Sequence, residues 1–210
     1  MLEIEGLVAG HAGREVARLG ALRLAPGECG LLIGPSGSGK TTLLLAIAGL
    51  ADVLAGSVTL DGAELTSLSP ARRDILRGRT IGLIFQDLHL IPGLSVLDNV
   101  LLAPFAAGIP QNREQALSLL DELGLAGHAH RRAETLSRGE AQRVAIARAM
   151  LLEPTLILAD EPTASLDEDT CARVAGLLIR AAEKTGAAMV IATHDLRLKT
   201  RFQTIVDLKP

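Results

Sequence analysis

The chain has 210 residues, 48% of them hydrophobic, with a net charge of −3, no Trp, no Tyr and only three Phe. That length gives one large or two small lobes, with a core that Leu, Ala, Val and Ile must fill. The charge balance gives no electrostatic case for nucleic-acid binding, and Cys29 and Cys171 suit a reducing compartment without metal-ligand spacing.

Glu3 and Glu5 stand where a secretory leader would be basic, so no leader is expected. Leu2 to Val8 alternates and reads as a strand, as does Arg14 to Leu24, which ends at the Pro26-Gly27 turn. Gly30 to Ile33 reads as a short buried strand. The stretch Gly34-Pro35-Ser36-Gly37-Ser38-Gly39-Lys40-Thr41 follows, matching G-x-x-x-x-G-K-[ST]. Thr41 to Leu50 is apolar and free of Pro, so it reads as a helix. Its longest apolar run, Leu43 to Ala51, falls far short of the ~20 residues that cross a bilayer.

Strand, glycine loop and helix in that order form a phosphate cradle. Glycines let backbone wrap an anion, and the N–H groups of the loop and of the helix start point at it. Lys40 is placed to bridge β- and γ-phosphates, and the Thr41 hydroxyl, with Thr42 next in line, to ligate Mg²⁺.

Ser57 to Leu60 with Asp61-Gly62 is a strand entering a tight turn. Ser69-Pro70 opens a helix, and Thr80 to Phe85 is a strand. From Ser95 to Leu125 helices are expected, broken at Pro104 and at Gly108-Ile109-Pro110. Gln111 to Leu123 carries Ala116, Leu119, Leu120 and Leu123 at helical spacing. Gly139 to Leu152 is a helix capped by Ser137. Leu156 to Ala159 is a continuous apolar strand of a parallel sheet. Leu166 to Lys184 reads as a helix, Ala187 to Thr193 as a strand, and Thr204 to Leu208 as a candidate last strand.

The apolar strand runs into Asp160 and Glu161, at the carboxyl end of the sheet, where ligands bind in open α/β folds. Asp160 suits Mg²⁺, and Glu161 suits a general base toward water. The plain alternative is a strand end followed by solvated acids.

The run Leu136-Ser137-Arg138-Gly139-Glu140, continuing into Ala141-Gln142-Arg143-Val144-Ala145-Ile146-Ala147-Arg148-Ala149, resembles the signature motif of ABC-transporter ATPase subunits. In the same order, Gln86 resembles the Q-loop glutamine, Ser165-Leu166-Asp167 the D-loop and His194 the switch histidine. The resemblance covers nearly the whole chain. It implies an α/β fold: a P-loop nucleotide-binding core, an N-terminal antiparallel β subdomain and an inserted α-helical subdomain. Residues 1–210 are then one ATPase domain, with about 88–138 as the helical insertion between about 1–87 and 139–210.

By resemblance, ATP and Mg²⁺ bind at Gly34 to Thr42, and Gln86 touches Mg²⁺ and water. Ser137 and Gly139 of one copy face the γ-phosphate held by a second, so a homodimer is implied. A separate integral membrane permease is the other implied partner, with the chain peripheral on the cytoplasmic face of the membrane and no nucleic acid bound. Arg138 and Glu140 depart from the usual Gly and Gln. Glu140 beside a phosphate is expected to be mildly repulsive unless Arg138 offsets it.

The family usually stacks adenine on an aromatic residue of the N-terminal sheet. No aromatic precedes Phe85, and His11 is the nearest candidate, against the plainer reading of an exposed turn histidine. Reduced base selectivity is therefore expected. The stretch from Gly82 to Val100 resembles the lipoprotein-releasing and macrolide-exporting branch. Leu90, Ile91 and Leu94 are either a groove for a permease helix or packing within the helical lobe. A regulatory ATPase that signals without transport stays open. A soluble ABC ATPase acting on nucleic acid or ribosomes would need a coiled-coil insertion or tandem cassettes.

Overall fold

The computed structural model describes residues 1–164 and 168–208. The N-terminal sheet is antiparallel, in the order β2-β1-β4-β5. β1 (Leu2–His11) pairs with β2 (Arg14–Leu24) through the two-residue turn Ala12-Gly13, both residues at positive φ. That backbone matches the twist of a hairpin. β4 (Asp52–Leu60) turns through Asp61-Gly62 into β5 (Ala63–Glu64), as the sequence indicates. The strand starts five residues earlier than expected, because Ala55-Gly56 interrupts the alternation. There the register with β1 shifts, and a Cβ on Gly56 would lie 2.3 Å from the Gly6 carbonyl oxygen.

The second sheet is parallel throughout, in the order β6-β7-β8-β3-β9. Its strands are β3 (Cys29–Ile33), β6 (Ile81–Ile84), β7 (Leu156–Asp160), β8 (Ala188–Thr193) and β9 (Thr204–Asp207). Side chains alternate between faces. Leu31, Ile33, Ile157, Ala159, Met189 and Ile191 face one core. Leu32, Leu156, Leu158, Val190 and Ala192 face the other. The first core is closed by α3 (Val96–Ala106), α4 (Arg113–Glu122), α5 (Arg138–Met150) and α6 (Glu168–Thr185). The second is closed by α1 (Lys40–Ile47), which lies between the two sheets. α2 (Pro70–Thr80) leads into β6 and buries no residue fully.

α1 stops at Ile47, not Leu50, because Gly49 takes the left-handed conformation that ends helices. Pro104 does not break its helix as expected. It sits in the last turn of α3, buried, and the helix runs two residues past it, to Ala106, before Gly108 turns left-handed. A proline so near the end forfeits one hydrogen bond, and packing offsets that loss. The expected helix from Leu166 is seen from Glu168; the D-loop stretch Ser165-Leu166-Asp167 lies outside the described residues.

Two contacts fix the segment after β6. Asn99, fully buried, accepts from the Ile91 N–H at 2.7 Å and donates to the Ile91 and Ser95 carbonyls at 3.1 and 3.0 Å. Arg148 of α5 donates to the carbonyls of Leu88 and His89 at 2.6 and 2.8 Å. The loop that follows Gln86 is thereby fastened to both α3 and α5.

Candidate nucleotide and hydrolysis site

The loop from Gly34 to Gly39 leaves the end of β3 and enters α1. The Gly34 N–H donates to the Thr193 carbonyl at 3.4 Å, tying the loop's start to the end of β8. Gly37 and Gly39 both have φ near +80°, and a Cβ on Gly39 would sit 2.4 Å from the Ala17 Cβ. Only glycine fits there, and the chain can then turn its N–H groups inward as an anion nest. Pro35, Ser36 and Gly37 are exposed, whereas the Ser38 hydroxyl is buried with no partner. Lys40 is buried, and its Nζ donates to the Gly34 and Pro35 carbonyls, 2.9 Å each.

Asp160 and Glu161 end β7 beside this loop. The Thr41 hydroxyl donates to Asp160 Oδ2 at 2.8 Å, while Oδ1 is buried without a partner. Burial pushes the Asp160 carboxyl above its ordinary pKa; the Thr41 hydrogen bond opposes this and the neighbouring Glu161 charge adds to it. An orphaned carboxylate oxygen beside a hydroxyl is a hard-oxygen set that fits Mg²⁺, which takes one or two carboxylates and completes its shell with phosphate and water.

Glu161 carries strain. Its φ is +46°, uncommon for a residue with a side chain. Four contacts impose that conformation. Its N–H donates to the Ala192 carbonyl at 2.8 Å, and its carboxylate accepts from the Thr193 hydroxyl at 2.8 Å. Oε1 also accepts from the His194 backbone N–H at 3.1 Å and meets His194 Nδ1 at 2.8 Å. Lys40 Nζ stands 3.8 Å from the same oxygen. One carboxylate thus joins the lysine of the loop to the histidine after β8. The site can hold phosphate, place a hard cation and orient a base toward water.

Gln86 is exposed just past β6, and its side chain forms no hydrogen bond among the described residues. Ser137 and Gly139 stand at the start of α5. No hydrogen bond or ion pair joins them to Gly34–Thr42 of the same chain among the described residues. Ser137 caps α5 as expected, within a capping box completed by Glu140. Two sets of contacts bear on the expectation for Glu140. Its carboxylate accepts from the Ser137 N–H and hydroxyl at 2.7 Å each, and pairs with His128 Nε2 at 2.8 Å and Arg131 at 3.5 Å. Arg138 does not offset it but reaches the Ala164 carbonyl at 3.4 Å.

Sequence reading missed several participants. Thr193 and Arg148 lie within apolar or motif runs that do not advertise their contacts. Val16 is 45% exposed, and its carbonyl and Cγ1 lie about 3.3 Å from where a Gly39 Cβ would be, so with Ala17 it borders the loop from the N-terminal sheet. His11 sits exposed at the hairpin end. Leu90 packs on the helical core, whereas Ile91 is exposed. The groove on this side is lined by Leu83, Phe85, His89, Leu102 and Ala106, not by Leu90, Ile91 or Leu94.

A glycine-loop strand–helix beside a strand ending in two acids defines a P-loop nucleotide-hydrolysing protein. The chain belongs to the ABC transporter family, whose model matches residues 20–164. It is 43% identical over 190 residues to the lipoprotein-releasing system ATP-binding protein LolD of Hyphomonas neptunium, covering 90% of this chain and 83% of that one. It is 40% identical to LolD of Roseobacter denitrificans over 99% of this chain and 95% of the relative. The fold matches the dimeric, ADP- and Pi-bound ATP-binding cassette MJ0796 with a TM-score of 0.86 and 32% identity, over all of this chain and 94% of that one. It also matches cbiO1 of Clostridium perfringens, part of the transporter complex cbiONQ, with a TM-score of 0.87 and 26% identity, over 99% and 84%. The chain is an ATP-binding, ATP-hydrolysing subunit of a transporter.

Proposed function

We propose that this chain is the motor of a lipoprotein-releasing-type system, in which two copies close on two ATP molecules and move a separate membrane permease. The observation that carries the reading is the Glu161 carboxylate, held between Lys40 and His194 beside the glycine loop. Residues 88–138 form the helical subdomain in this scheme and the rest the core. Nucleotide phosphates compete with the Gly34 and Pro35 carbonyls for Lys40 Nζ and are met by the N–H groups of Gly37 to Thr42. Asp160 and the Thr41 hydroxyl hold Mg²⁺ from the protein side, with Gln86 approaching from β6. Mg²⁺ supplies charge neutralisation at the β- and γ-phosphates. Glu161 accepts a proton from the attacking water, and His194 fixes the carboxylate and faces the γ-phosphate. Lys40 offsets the charge that develops. Ser137 and Gly139 complete the site of the other copy, since among the described residues no hydrogen bond or ion pair joins them to Gly34–Thr42 of their own chain.

No helix among the described residues is long and apolar enough to cross a membrane. Attachment to the cytoplasmic face therefore runs through the permease. The groove between β6 and α3, about 480 Å³, presents Phe85, Leu102 and Ala106 to a partner helix, with Phe105 72% exposed at its side. Arg148 then links that groove's floor loop to the signature helix, so a push at one is felt at the other. The test is co-purification with the membrane subunit from cells expressing both. Ala106→Glu should lose the complex and all stimulation by the permease while keeping the ATP turnover of the isolated subunit. An intact, stimulated complex contradicts the groove assignment.

A further inference from the structure

A cleft of about 660 Å³ lies away from the glycine loop, between α5, α6 and the end of α4. Four arginines line it: Arg143 on α5, Arg173 and Arg180 on α6, and Arg201 at the end of the 3-10 segment Leu196–Arg201. Among the described residues no acidic side chain is on its walls. Arg173 donates to the Thr170 hydroxyl at 2.8 Å. The side chains of Arg143, Arg180 and Arg201 form no hydrogen bond or ion pair among the described residues, and the Nε of Arg143 is buried with no partner.

In a chain of net charge −3, four guanidiniums on one cleft, three of them exposed, are a local excess that no described acid pairs with. Buried donors are ordinarily paired, so an unpaired guanidinium nitrogen calls for an acceptor. Guanidinium forks match phosphate oxygens two at a time. Leu123, Val174 and Leu177 give the cleft an apolar floor, and its volume suits a small molecule rather than a chain segment.

We propose that this cleft binds a small, soluble phosphorylated compound, nucleotide-sized, with at least two phosphate charges on the arginines and an apolar or flat body on the leucine floor. It is separate from the glycine loop, and Gly139, assigned above to the ATP site of the other copy, stands on one of its walls.

The probes are sodium tripolyphosphate and ADP, titrated calorimetrically into the full chain carrying Lys40→Ala, which weakens the glycine loop's own hold on phosphate. One tripolyphosphate should bind per chain, and Arg180→Ala with Arg201→Ala in that background should weaken it at least tenfold. Gly176→Leu, which fills the cleft and favours the helix, should weaken ADP more than tripolyphosphate. The two arginine substitutions alone should leave ATP turnover at the wild-type value, which separates loss of this site from loss of fold or motor function. Binding that is absent in Lys40→Ala, or unchanged by the arginine substitutions, overturns the proposal. Arginine-dependent flotation with phosphatidylglycerol vesicles, without binding of either soluble probe, overturns it in favour of a lipid headgroup.

Discussion

Glu161 Oε1 lies 2.8 Å from His194 Nδ1 and 3.1 Å from the backbone N–H of the same residue. The two residues come from the ends of neighbouring parallel strands, β7 and β8, and the contact exists because Glu161 adopts a left-handed backbone that points its carboxylate sideways. A carboxylate held at both ends of one residue cannot swing freely. Its orientation is therefore set before nucleotide arrives.

From that contact follows the effect of removing the imidazole. His194→Ala leaves the backbone donor and the loop intact, so ATP affinity should change by less than about threefold. Turnover should fall by roughly 100-fold, the lower end of what a positioned acid–base group contributes. Steady-state kinetics with kcat and KM separated make the check; a loss confined to KM would assign His194 to binding instead.

Glu140 makes a pH prediction. Its hydrogen bonds to Ser137, assisted by His128 and Arg131, hold its carboxyl at about 2, below the ordinary 4.5. A depressed folded value means that the contribution to stability is full above the ordinary value and is lost as pH falls from there toward 2. Between pH 5 and pH 3 the wild type should therefore lose more thermal stability than Glu140→Gln, which cannot titrate. Parallel melting curves would deny the carboxylate this role. Glu140 is also engaged within its own chain, by Ser137, by His128 Nε2 and by Arg131.

Base selectivity should be weak. Val16 and Ala17 border the loop from the N-terminal sheet and offer contact area without a π-face; no Phe, Tyr or Trp precedes Phe85, and His11 sits exposed at the hairpin end. Stacking on an aromatic ring is worth roughly 1–3 kcal/mol per base. Without it, GTP should bind within tenfold of ATP, measured by equilibrium titration. A preference for ATP beyond tenfold would mean that another group reads adenine.

What the sequence makes legible follows from how local the chemistry is. The glycine loop, the Asp160-Glu161 strand end and the capped start of α5 are contiguous, and their spacing alone dictates their geometry. Partners far apart in non-periodic segments are not legible. His128 and Arg131 reach Glu140 from a loop of 3-10 turns, and Arg148 reaches Leu88 and His89 across about 60 residues. β4 is half hidden because a bulge at Gly56 erases the period-2 pattern, and Pro104 misleads because propensity cannot tell a helix's last turn from its middle.

The most direct test of the central claim is ATP-dependent dimerisation and turnover of Glu161→Gln against wild type, by light scattering after chromatography with ATP and Mg²⁺. Removing the base while keeping the side chain's shape should trap a dimer that does not hydrolyse. A Glu161→Gln protein that hydrolyses ATP as fast as wild type would contradict the account, because the carboxylate between Lys40 and His194 would then not be the one that activates water.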